Sequence, residues 1–80
     1  MPLISFEVRG QWPLQNLPAP PEPWMVPGRT YVLVLRRRSP QDLPEAEVRD
    51  AHTDAVLATY SWHVARAMFA FDAHDDLSAR

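Results

Sequence analysis

Apolar and polar residues alternate in short stretches along much of this chain, and the alternation predicts strands. Leu3 to Arg9 sets Ile4, Phe6 and Val8 on one side and Ser5, Glu7 and Arg9 on the other, the period-2 pattern of a half-buried strand. Gly10 is expected to end it. Thr30 to Arg36 is apolar on both sides, with Tyr31, Leu33 and Leu35 opposed to Val32 and Val34, which predicts a central strand covered on both faces. Glu45 to Asp50 places Ala46 and Val48 inward and Glu45, Glu47 and Arg49 outward, as in an antiparallel strand wetted on one face. Ala51-His52-Thr53-Asp54 carries turn chemistry, because short polar side chains bond the backbone of a tight reversal. With Ala55 to Tyr60 as the return strand, a β-hairpin from Glu45 to Tyr60 follows.

The longest nearly uncharged run, Ala55 to Phe71, passes from that strand into a helix, with Ser61 as the N-cap and an expected extent of about residues 62 to 74. At helical spacing the apolar residues fall into two stripes. Val64, Ala67, Met68 and Phe71 are expected to pack on the sheet. Trp62, Phe69, Ala70, Ala73 and Leu77, with Arg66 among them, form the second stripe, which needs a cover of its own: the Pro-rich segment with Trp12 and Trp24, a second copy of the chain, or another protein. Asp72, Asp75 and Asp76 oppose the helix dipole, so the helix is expected to fray near His74 and to leave a mobile tail over 77–80.

All nine prolines lie between Pro2 and Pro44, six of them between Gln11 and Gly28. That density forbids helix and ladder and predicts an ordered, extended segment. Its Trp12, Leu14, Leu17, Trp24, Met25 and Val26 imply that it lies across a hydrophobic face. The spacings Pro18 to Pro21 and Pro20 to Pro23 also match a ligand for an aromatic groove, although such spacing arises wherever proline is dense. A rival pattern makes Pro44 to Leu77 one long helix, since Pro44 suits a first helical turn; the β-branched and aromatic content of Val56 to Trp62 favours the hairpin. The predicted architecture is one α+β domain of 80 residues. It has a small, mostly antiparallel sheet of about four strands (about 3–9, 30–36, 45–51 and 55–61), one C-terminal helix, and a Pro-rich crossover loop over 11–28.

Composition narrows the chemistry. A net charge of −2 and a pI near 5.8 give the whole chain no pull toward nucleic acid or an anionic membrane. The absence of cysteine excludes disulfides, a thiol nucleophile and a cysteine-based zinc site. The run Ala55 to Phe71 is too short, and too interrupted by His63 and Arg66, to span a bilayer. Met1 to Trp12 lacks the pattern of a secretory signal, so a cytoplasmic protein is expected. His52, His63 and His74 are evenly spaced but fall on a turn, a helix start and a helix end. Asp72, His74, Asp75 and Asp76 lack the i, i+4 histidine pair of a zinc helix. Ser61 and His63, two apart, point to different sides, and Gly10 and Gly28 alone make no phosphate cradle. No catalytic residue, metal or cofactor is expected.

Two distant resemblances touch parts of the chain. Three strands followed by a helix resemble the second half of a double-stranded RNA-binding domain, whose last helix opens on a lysine cluster; Trp62, His63 and Val64 stand at that place here. Arg9-Gly10-Gln11-Trp12, followed by Gly28 and the strand Tyr31 to Leu35, is similar to the Gly-x-Trp and Gly-strand unit of SymE-type toxins, with a much longer segment between and no counterpart to the second half. Neither resemblance assigns a site residue.

The expected function is binding to another protein, with a second copy of the chain among the candidates, in the manner of small accessory proteins such as the phage-encoded inhibitors of host machinery, anti-CRISPR proteins included. This likeness is one of size and character only. Trp62, Arg66, Phe69 and Ala73, with Trp12 and Trp24 nearby, are the expected contact residues. The alternative is a nucleic-acid-binding accessory protein using Arg29, Arg36, Arg37, Arg38 and Arg49.

Overall fold

A computed structural model describes residues 6–71 of the chain. Four strands, β1 (Phe6–Pro13), β2 (Thr30–Arg37), β3 (Glu45–Arg49) and β4 (Val56–Ser61), precede one helix, α1 (Trp62–Met68). The strands form a single antiparallel sheet in the order β1-β2-β3-β4, so each pairs with its neighbour in sequence. The α+β architecture stands, and β3 and β4 replace the long-helix alternative. Because β1 and β2 are neighbours, the Pro-rich segment is a long hairpin connection and not a crossover.

The first strand departs from its expected end. Gly10 lies inside β1, opposite Leu33, and pairing continues to Pro13 opposite Thr30. Its role is to make room: a Cβ at position 10 would lie 2.3 Å from the tip of the Trp12 ring. Residues two apart on a strand share a face, and here the indole folds back over the glycine backbone. The part of the predicted strand before residue 6 lies outside the described residues.

The β3–β4 hairpin follows the turn chemistry closely. The Asp50 carboxylate accepts from the backbone N–H of His52 at 2.8 Å and of Thr53 at 2.9 Å, and Thr53 Oγ1 accepts from the Ala55 N–H. Asp54 takes a positive φ of 61°, a conformation that Asp tolerates better than most residues. Beyond the turn, a register shift near Val48 and Arg49 pairs Arg49 with Val56 and Val48 with Ala58.

The helix is shorter than expected and presents the other face to the sheet. Ser61 caps it, its Oγ accepting from the Val64 N–H. It stops at Met68 because the start of the Pro-rich segment takes over its last carbonyls. The N–H groups of Gln15 and Asn16 both donate to the Met68 carbonyl, and Asn16 Nδ2 donates to that of Ala67 at 2.9 Å. Phe69 is then extended and bridges Leu14, while the Ala70 N–H donates to the Pro13 carbonyl. With Phe71 off the helix, the face toward the sheet is Trp62, Ala65 and Met68, and Val64 and Ala67 are exposed. The expected fraying at His74 and the mobile tail lie outside the described residues.

The core gathers on this face of the sheet: Trp12, Leu14, Met25, Tyr31, Leu33, Leu35, Ala46, Val48, Trp62, Ala65, Met68 and Phe69. Two aromatic rows run through it. Phe71 sits between Trp12 and Trp62, with ring centroids 4.9 and 5.3 Å away; Tyr31 sits between Trp24 and Phe69 at 5.2 and 6.3 Å. These tilted and edge-on pairs add to the burial of the rings themselves. The Pro-rich segment is docked. The Tyr31 hydroxyl donates to the Trp24 carbonyl at 2.7 Å and accepts from the Val26 N–H at 3.1 Å, fixing the segment beside buried Met25.

Candidate interaction surface

The residues expected to meet a partner are divided by the fold. Trp12, Trp62 and Phe69 are buried in the chain's own core, and Trp24 is half-buried over Tyr31. Of the three covers considered for the second stripe, the chain itself supplies one. Arg66 is exposed in the last turn of α1, and Ala73 lies outside the described residues. The sequence signal misled because the wheel carried Phe71 as a helical residue; once the helix stops at Met68, Trp62, Ala65, Met68 and Phe69 form a single conventional face.

The arginines are also dispersed. The opposite, open face of the sheet carries a continuous chain of ion pairs, Arg9 to Asp54, Asp54 to Arg49, Arg49 to Glu47, Glu47 to Arg36 and Arg36 to Glu7, whose two ends, Arg9 and Glu7, both lie on β1. Beneath it lies Val34, fully buried, whose cross-strand neighbours are Arg9 and Glu47. Among the described residues, what flanks this second face of β2 at Val34 is the ion-paired side chains of Arg9 and Glu47 and not a further helix or strand. Glu47, with Asp54 behind it, raises the pKa of the Arg49 guanidinium. Arg36 and Arg49 thus have carboxylate partners, Arg38 is exposed at the end of β2, and Arg29 stands at its other end. A strand of eight residues separates these last two by about 25 Å, while Arg36, Arg37 and Arg38 are adjacent at one end of β2. Among the described residues no group of three metal-binding side chains is found.

The surface that remains distinctive is the outer edge of β4. Its sequence, Val-Leu-Ala-Thr-Tyr-Ser, has no charge, no proline and no glycine. Edge strands ordinarily carry such features, because their free N–H and C=O groups otherwise recruit another strand. The other edge of the sheet, β1, carries Glu7, Arg9, Gly10 and Pro13. Among the described residues no backbone hydrogen bond joins β4 to anything beyond β3 and the first turn of α1.

On the open face β4 presents Val56, which is 56% exposed, opposite Arg49, and Thr59 opposite Glu47. On the core face Ala58 and Tyr60 stand opposite Val48 and Ala46. Tyr60 donates to Glu22 in the Pro-rich segment, and Glu22 also accepts from Trp24 Nε1 at 3.1 Å. Burial and then the Glu22 carboxylate push the Tyr60 phenol well above its usual range. This contact ties the inner side of β4 to the chain and leaves the outer edge open. Val64, 42% exposed on α1, adds an apolar side chain on the helix that packs against β3 and β4.

No described helix is long and apolar enough to cross a membrane. Compared with known proteins, the chain matches no family model, and no curated protein and no solved structure is similar to it.

Proposed function

We propose that the protein acts by contact with another protein, pairing through the outer edge of β4 and performing no catalysis itself. The observation that carries this reading is the uncharged, proline-free edge strand Val56–Ser61. Strand addition uses backbone hydrogen bonds for affinity and the alternating side chains for selectivity. Here the side chains offered are Val56, Thr59 and Ser61 on one face and Ala58 and Tyr60 on the other. The edge is held rigid by β3 within and by the Tyr60 to Glu22 bond above, so a docking strand meets a preorganised template. The contact thus moves from Trp62 and Phe69, which serve the core, to the neighbouring strand.

The test is a comparison of wild-type protein with the double variant Val56→Lys/Thr59→Lys, both immobilised and exposed to an extract of the source cells. Both positions are exposed, so far-UV circular dichroism should be unchanged. A protein retained by the wild type and lost from the variant supports the reading; equal retention by both removes β4 as the contact.

A further inference from the structure

We infer that the strand received by this edge is β4 of a second copy of the chain, giving a two-fold symmetric dimer with one continuous eight-stranded sheet. The inference rests on the reading of β4 as the contact edge and adds the identity of the occupant. In a two-fold pair each residue stands opposite its own image or opposite a symmetry-related neighbour. A charged residue near the axis therefore meets its own charge, which is destabilising across strands. β1 carries Glu7 and Arg9, β2 carries Arg36 and Arg37, and β3 carries Glu45, Glu47 and Arg49; β4 has none. A partner of different sequence could be selected by complementary charges on the edge, whereas pairing with a copy is favoured when none stands near the axis.

The surroundings of the edge fit the same occupant. Glu47, the neighbour of Thr59 on β3, is paired with both Arg36 and Arg49, so the axis does not bring two uncompensated carboxylates together. The register is also constrained. The irregularity opposite Arg49 breaks the alternation of β4 at Leu57, leaving Ala58 to Ser61 as the regular stretch. Thr59 and Tyr60 are the axis positions inside this stretch that keep core face against core face, and an axis on Tyr60 would set Ala58 opposite Trp62, which is already in α1. The axis therefore falls on Thr59, which opposes its own image on the open face, with Ala58 opposing Tyr60 of the second copy on the core face. A small residue against a large one fills that face without a clash, and paired threonines are a favourable cross-strand match.

Two measurements test this. Sedimentation equilibrium over a concentration series should give a species of twice the 9.2 kDa monomer mass, lost in Thr59→Lys with the circular dichroism spectrum unchanged. The chain has no cysteine, so Thr59→Cys introduces a single thiol. Opposed strand residues lie about 4.5–5.5 Å apart between Cα atoms, within disulfide reach, and mild oxidation should link Thr59→Cys into a covalent dimer much faster than Val56→Cys. A monomer at every concentration, a dimer that survives Thr59→Lys, or equal cross-linking at positions 56 and 59 overturns the inference. If the protein is monomeric and Thr59→Lys still abolishes capture of a different protein, the self-pairing is wrong while the contact edge stands.

Discussion

Asp54, in the turn between β3 and β4, reaches Arg9 on β1 with a carboxylate oxygen 3.4 Å from the guanidinium, across the strand that separates β1 from β3. Its other oxygen lies 3.0 Å from Arg49. A residue that the hairpin places in left-handed backbone geometry thereby joins Arg9 on β1 to Arg49 on β3 in the chain of charges beside Val34.

Asp54→Asn keeps the turn conformation and removes the charge. Both members of the Arg9 pair are more than half exposed, and such a pair is worth at most about 1 kcal/mol. A small loss of stability is expected in urea titrations at low ionic strength, shrinking toward zero at about 1 M salt, where the screening length falls to about 3 Å. A loss that persists at high salt would show that the paired side chains act through packing.

Gly10→Ala tests the fold of Trp12 over its own strand. The added Cβ meets the indole tip, and a shift of the ring disturbs its packing on Phe71. Overpacking of this kind costs about 1–3 kcal/mol. Combining Gly10→Ala with Trp12→Leu should cost less than the sum of the two single changes, which a double-mutant cycle in urea reads directly.

Asn16 ends a helix that is 51 residues away in sequence, with Nδ2 on the Ala67 carbonyl. Asn16→Ala should cost about 0.5–1.5 kcal/mol, the usual net value of one hydrogen bond. Asn16→Asp, which turns a carboxylate toward carbonyl oxygens at the negative end of the helix, should cost more. Thermal melts of the two variants give the order.

Stability should fall at both ends of the pH range, for separate reasons. Tyr60 has its folded pKa raised by burial and by Glu22, so its contribution is full below the unfolded value of about 10 and is lost as pH rises beyond it. Tyr60→Phe should flatten this alkaline limb in urea midpoints. Asp50 has its folded pKa lowered by the Thr53 and His52 N–H groups. Its contribution is present above the unfolded value of about 3.9 and is lost as pH falls through the folded one; Asp50→Asn should flatten the acid limb.

Much of the fold was legible locally. The alternation of Glu45 to Arg49, the two-sided apolar run Tyr31 to Leu35 and the Asp50 to Asp54 turn signals name their elements without help from distant residues, because each depends on side-chain period or on short-range hydrogen bonds. The Ser61 cap is of the same kind. The contact surface was less legible. Trp62 and Phe69 read as surplus apolar surface because much of their cover comes from distant parts of the chain and the rest from Phe71, which helical spacing places on the opposite stripe. Their cover includes Tyr31 and Phe71 and the end of β1 at Leu14. The exposure of β4 was equally hidden, since an edge is a property of strand order and not of the strand.

The sequence by itself determined the number and kind of elements, their inward faces in the sheet, and the exclusion of cysteine chemistry, all set by residue type and spacing. Only the tertiary structure decided which edge stays open among the described residues, through strand order, and where the helix stops and which apolar stripe it buries. The last two outcomes depend on contacts between Leu14 to Asn16 and Ala67 to Phe69, more than fifty residues apart, and no local pattern encodes them.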